Sequence, residues 1–296
     1  MMRYRPRRCS QPRRRGQSSM DLNTIVDIER PRSRREIEAI VRASNPGDAW
    51  LAGGTFLFSE QQPQLRRLID LMECGWAPLS VDERGLSLSA TCTIAELYAF
   101  APPPEWPAAR LIAQCCRSFL ASFKIWNTAT VGGNLCNALP AGPMISLCAA
   151  LEGTCTIWTP GGQERVASVF DFVEGPLRPA LRSGELLRGI DLPSEALTRR
   201  TAFRQISLTR LGRSGALLIG ARTATGGFTL TVTAATRRPV RIAFADLPSQ
   251  RELDDRLAAE IPEPLYYDDI HGRPDWRRHM TFEFAREIRA ELEAAA

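Results

Sequence analysis

Leu51-Ala52-Gly53-Gly54-Thr55-Phe56-Leu57-Phe58, together with the distant Thr130-Val131-Gly132-Gly133-Asn134, decides how this chain reads. Each stretch sets a glycine pair after a short apolar or β-prone run, with Thr or Asn beside it. A doubled glycine lets backbone N–H groups face a ligand with no Cβ in the way. Two such turns can hold the two phosphates of one dinucleotide from opposite sides, and a bound dinucleotide points to redox chemistry. Neither turn fits the common phosphate templates: G-x-G-x-x-G between strand and helix is absent, as is G-x-x-x-x-G-K-[ST]. A lone Gly-Gly is more often loop punctuation. The second turn says more, because Asn127-Thr128-Ala129 precede it and Leu135-Cys136-Asn137-Ala138-Leu139-Pro140-Ala141 follow it. A long polar, small-residue loop inside an apolar region reads as a lined site.

Outward from these turns the chain alternates helix and strand. Ser33 with Glu36 forms a capping box ahead of Ile37, Ile40 and Val41 on one helical face. Ala49 to Ala52 and Leu68 to Leu71 read as strands, so a βαβ-like first lobe is expected over about 20–75. In a second lobe, over 76–195, Leu86, Leu88 and Ala90 alternate with serines as in a strand. Thr93 and Glu96 form another capping box, and Pro102-Pro103-Pro104 stops that helix. Leu111 to Phe123 and Met144 to Leu151 read as helices, and Cys155 to Trp158 and Leu186 to Leu192 as strands. Residues 194–201 are polar and suit a linker. Beyond them, strands are expected at Ala202–Ile206, Ala216–Arg222 and Phe228–Thr236. Trp276, Met280, Phe284, Ile288 and Leu292 then form a stripe on a last helix that packs as core. No internal repeat is visible.

Composition bounds the function. The 296 residues are 44% hydrophobic and 24% charged, which suits one large or two to three small domains. No apolar run approaches the ~20 residues of a membrane span, and a cytoplasmic protein is expected. The eight cysteines form no C-x-x-C pair, so reduced core thiols are expected rather than a zinc or iron–sulfur site. Among the 38 Lys+Arg only Lys124 is a lysine. Seven arginines and no acid fall in residues 1–19, whose removal takes the formal charge from +5 to −2. That extension reads as disordered, with Met20 as a candidate natural start, and not as a nucleic-acid arm. No G-x-S-x-G is present. His271 and His279 lie without a metal motif, and Asp268-Asp269 reads as a solvated turn. No residue stands out as a general acid or base.

LAGGTFLF at 51–58 and NTATVGGNLCNALPA at 127–141 resemble the two flavin-contacting segments of the FAD-binding (medium) subunits of the xanthine dehydrogenase and carbon monoxide dehydrogenase family, the molybdenum hydroxylases. LSLSATCTIAEL (86–97), ELLRGIDLP (185–193) and DWRRHMTFEFAREIRAEL (275–292) continue the match in the same order from about Met20 onward. The resemblance implies an α+β fold: a two-lobed PCMH-type FAD-binding domain over 20–195, with a smaller α+β C-terminal domain over 200–296. It implies an FAD cofactor held around Trp50, Leu51, Ala52, Gly53, Gly54, Thr55, Phe56 and Leu57. Contacts are also implied at Thr130, Val131, Gly132, Gly133 and Asn134, packing at Leu187, and a basic side chain near the flavin at Arg204. From the residues alone, Arg204 reads equally as an exposed strand charge. The resemblance further implies a small partner with [2Fe–2S] clusters, a large molybdopterin partner, and NAD or a quinone as acceptor.

Three positions depart from the family pattern. Pro143 stands where an aspartate is common, Trp126 where an arginine is common, and Phe56 where an acid is frequent. They motivate the alternative of a flavin-free structural or assembly subunit. A flavin oxidoreductase that works alone is a third reading. Substrate, acceptor and stoichiometry are not readable from this chain.

Overall fold

A computed structural model describes residues 23–43 and 45–294. The Arg-rich extension 1–19 lies outside the described residues. Among the described residues there are three sheets of three or more strands and one two-stranded pair, Val173–Gly175 with Arg178–Pro179. The first is parallel: strands Asp27–Glu29 and Asp48–Leu51 flank Arg67–Asp70, and helix Arg34–Arg42 covers them. Arg67 binds Glu29 and Asp48 across all three strands, which holds the Asp48 carboxyl below its usual range. The Ser33 hydroxyl accepts from the Glu36 amide as the capping box predicts. The Glu36 carboxylate, however, accepts from the Arg32 N–H, one residue earlier than expected.

The second sheet has five antiparallel strands in the order Leu79–Asp82, Gly85–Ser89, Leu186–Pro193, Thr154–Trp158, Glu164–Ser168. Leu186–Pro193 is central: both neighbours pair with it, and Leu186, Leu187, Ile190 and Leu192 are buried. The capping box of Thr93 and Glu96 is complete, and helix Ile94–Ala99 ends before the prolines. Helix Pro143–Ala150 is buried all round. Pro143 occupies its first turn, where a missing N–H costs nothing.

The third sheet is an antiparallel meander of Arg200–Ile206, Ala216–Arg222, Phe228–Thr233 and Val240–Phe244. Its second strand is apolar from Ala216 to Ala221 because both faces are covered there. Leu217 and Ile219 join the core of the second sheet, while Ala216 and Leu218 join a core under helices Gln250–Glu260 and Pro274–Ala294. Gly220 lets the last helix approach, since a Cβ there would lie 2.2 Å from Ile288.

Several expectations are corrected. The helix expected to reach Phe123 stops at Ser118 and a separate turn runs Phe123–Trp126. The stretch 194–201 is no bare linker: Ser194–Leu197 is helical, and buried Arg199 pairs with Glu152 at 2.8 Å. Strand Val240–Phe244 and helix Gln250–Glu260 were not anticipated. The final stripe holds at Phe284, Ile288 and Leu292, but Trp276 and Met280 are only half-buried and Arg277 and Thr281 take the inner face. A four-residue step advances about 400° around a helix, so such a stripe drifts off its face. Arg277 donates to the carbonyls of Gly215, Gly272 and Ala234 and pairs with Asp269, which is therefore no solvated turn residue. The Cys74, Cys92, Cys115, Cys116, Cys148 and Cys155 thiols are free and buried. Among the described residues no cluster could hold a metal and no helix is long and apolar enough to cross a membrane.

Candidate functional site

The parallel strand Asp48–Leu51 runs directly into the first glycine turn. Beside it lies a cavity of about 610 Å3, within the usual size of cofactor sites. Trp50, Leu51, Ala52, Gly53, Gly54, Thr55, Phe56 and Leu57 all line it. So do Thr130, Gly132, Gly133, Asn134 and Leu187. The two glycine turns, far apart in sequence, meet here: a Cβ on Gly53 would sit 1.8 Å from the Thr128 carbonyl oxygen.

The first turn is built to leave donors free. Gly54 adopts φ +67°, a left-handed conformation that glycine takes without strain. The chain closes through Phe58 N–H to Gly54 O (2.9 Å) and Ser59 N–H to Phe56 O (3.0 Å). Among the described residues nothing accepts from the amides of Gly53, Gly54, Thr55, Phe56 and Leu57. A run of unpartnered amides in a concave turn is an anion cradle. The indole N–H of Trp50 donates to Glu185 O (3.0 Å), tying this turn's strand to the second sheet.

The second turn is not a turn. Thr130 caps helix Val131–Asn137, its hydroxyl accepting from Gly133 N–H at 3.0 Å. Val131 N–H donates to Cys92 O, Gly132 N–H to Ala90 O and Asn134 N–H to Thr130 O. The amides expected to hold a second phosphate are thus spent inside the protein. Gly132 serves close packing, with a Cβ there 2.6 Å from the backbone of Ala90. Gly133 presents a Cβ-free surface to the cavity. Asn134 Oδ1 accepts from Met144 N–H (3.1 Å), which leaves its NH2 group to donate.

Two expected residues lie elsewhere. The Val131 side chain is fully buried in the core. Arg204 faces helix Pro274–Ala294, pairing with Glu287 at 2.5 Å and Glu291 at 2.8 Å. The cation on the cavity wall is Arg213. Trp126 packs edge-on against Tyr98 (5.1 Å between rings) and does not line the cavity. The sequence reading also missed the rim Ser118–Ala121 and Ile125, hidden by the helix expected there. Ser118 and Ser122 were the available signal, since serine favours helix ends over interiors. For Arg213 the signal was the flanking Gly212 and Gly215.

Leu71, Phe119, Leu139 and Leu186 add apolar wall beside those named, and Ser59 and Asn137 add polar groups. Cys136 also lines it, and burial pushes its thiol up to about 12, so it is a neutral wall group. No carboxylate or imidazole of the described residues reaches the lining. The arrangement can bind a long, partly anionic, largely aromatic molecule, and it offers no acid–base pair.

Comparisons with known proteins point to one such molecule. A family model described as the FAD binding domain in molybdopterin dehydrogenase matches residues 23–195. The chain is 35% identical over 88 residues to caffeine dehydrogenase subunit beta of Pseudomonas sp. (strain CBB1), a match spanning 30% of either chain. A Cu,Mo-CO dehydrogenase in a cyanide-inactivated form superposes with a TM-score of 0.77 at 21% identity, over 91% of this chain and 98% of that one. The carbon monoxide dehydrogenase of Hydrogenophaga pseudoflava lacking the Mo-pyranopterin moiety gives 0.75 at 19% identity, over 89% and 96%. These two likenesses show a shared fold.

Proposed function

The chain belongs to the family of FAD-binding domains of molybdopterin dehydrogenases, and from that premise we propose that it is the flavin subunit of a molybdenum hydroxylase complex. In this reading a large partner holds molybdopterin and oxidises the substrate. A small partner carries [2Fe–2S] clusters, and this chain passes their electrons on to NAD or another acceptor. The observation that carries the reading is the run of five unpartnered amides from Gly53 to Leu57 on a cavity of cofactor size. A Cβ at Gly53 would strike the Thr128 carbonyl and one at Gly54 the Phe58 ring, so both glycines are needed for the turn that leaves these amides free, and free amides fit a pyrophosphate.

Bound FAD would supply the redox chemistry. The protein's part is to bind, orient and shield. Amides of the first turn would donate to phosphate oxygens, and the Asn134 NH2 would add a side-chain donor. Leu51, Leu57 and Leu187 exclude water and lower the local dielectric, which strengthens those hydrogen bonds. The absence of acids and imidazoles from the wall suits an electron relay, which moves no substrate proton through a side chain.

The test is the visible absorption spectrum of the purified full chain supplied with FAD. Flavin bound at one per chain is expected. A well-folded chain that takes up no flavin, alone or with its partner subunits, refutes the proposal and leaves a scaffold role.

A further inference from the structure

Arg213 is the one charged side chain on the cavity wall among the described residues, and the one wall residue that comes from the third sheet. It stands on the loop between strands Arg200–Ile206 and Ala216–Arg222. Among the described residues nothing pairs or hydrogen-bonds with it, whereas Arg204 on the preceding strand is held by two glutamates. Its backbone is pinned on both sides. Gly212 N–H donates to Thr209 O (3.0 Å), buried Ser214 accepts from the Gln205 side chain (3.1 Å), and Gly215 N–H donates to Ile206 O (2.8 Å). Gly215 O in turn accepts from buried Arg277 at 2.8 Å, and a Cβ on Gly215 would strike Trp276 at 2.4 Å. Arg213 thus brings an exposed, unpartnered guanidinium on a fixed backbone to the wall of the cavity, where it is available to a ligand.

We infer that Arg213 is the positioning residue that neutralises the anionic part of the bound dinucleotide, an inference that rests on the flavin reading above. The amides of the first turn carry only partial charges. Nothing else on the wall offsets a full negative charge, and against apolar walls a single cation acts strongly. The planar guanidinium suits two-point contact with a phosphate, or with the N–C=O edge of a flavin ring that gains charge on reduction. Both sources share one chemistry, and half-ligands separate them.

The experiment uses the full chain with R213Q and R213K, and R210Q as a control on the same loop outside the cavity. Dissociation constants for FAD, ADP and riboflavin are measured at two ionic strengths, with the midpoint potential of bound flavin. R213Q should weaken FAD binding about tenfold or more and flatten its salt dependence. R213K should recover part of the loss, and R210Q should match the parent. A phosphate partner shows as weakened ADP with unchanged riboflavin. A ring partner shows as unchanged ADP, a lowered potential and weakened riboflavin. R213Q matching the parent in affinity, salt dependence and potential overturns the inference alone. A parent chain that binds no FAD overturns the flavin reading and this inference with it.

Discussion

The two glycine pairs look alike in sequence and do opposite things with their amides. At Gly53-Gly54 the backbone turns through a left-handed residue and leaves five consecutive N–H groups without a protein acceptor. At Gly132-Gly133 a threonine cap and two carbonyls from residues 90 and 92 take every donor. A glycine pair is therefore a licence for close approach, and what approaches differs. For the first it is Thr128 behind, with the open cavity in front. For the second it is mainly the strand edge at Ala90.

The sharpest break of this contrast is Gly53→Ala. Its Cβ would lie 1.8 Å from a carbonyl oxygen that belongs to the backbone and cannot swing away. The two lobes must separate there, at a cost of about 3 kcal/mol or more. We expect a large drop in the denaturation midpoint together with loss of FAD binding. A variant with parental stability would show that the lobes do not meet as described.

Next in size is the support beneath the first turn. Trp50 is tied to the Glu185 carbonyl, and the Glu185 side chain, 3% exposed, is clamped by Arg165. Hydrogen bonding from Arg165 holds that carboxyl below its ordinary value of about 4.5. A depressed carboxyl contributes stability above its unfolded pKa, and that contribution is lost as pH falls through the folded value. Glu185→Gln should therefore cost about 2 kcal/mol at neutral pH, measured by urea unfolding. The gap to the parent should narrow as pH falls below the ordinary carboxylate range and close once the parent's own carboxyl takes up its proton. A gap that stays constant with pH would mean that the charge on Glu185 does no work there.

Much of this molecule was legible in advance, and the misses share a cause. The strands at Leu86, Ala216 and Leu187 could be read because burial on one or both faces shows directly as alternating or continuous apolar residues. The complete Thr93 cap could be read because it is local. The use of the amides of Val131 and Gly132 could not, because their acceptors, Cys92 and Ala90, lie some forty residues earlier and are brought in by tertiary contact. Arg204 and Arg213 illustrate the same limit. Both are arginines near one strand end, and only the packing of the last helix, with Glu287 and Glu291, decides which is taken and which is free. Arg277 was hidden for another reason: its buried partners are carbonyls, which carry no sequence signature.

The smallest effect on stability should accompany an informative effect on binding. At Gly133 an added Cβ meets only the Thr130 hydroxyl at 2.9 Å, inside a helix where alanine is favoured over glycine by about 1 kcal/mol. Gly133→Ala should thus leave the fold within about 1 kcal/mol of the parent, since the helix gain offsets the tight contact with the cap. The same methyl projects from a surface that faces the cavity, and it narrows the space opposite the first turn. If the second segment contributes shape where the first contributes donors, FAD affinity should fall while the salt dependence of binding stays parental. Removing a charge partner would instead change that slope. Gly133→Ala with unchanged affinity would place the cofactor away from this wall, and the contrast would then rest on the first turn alone.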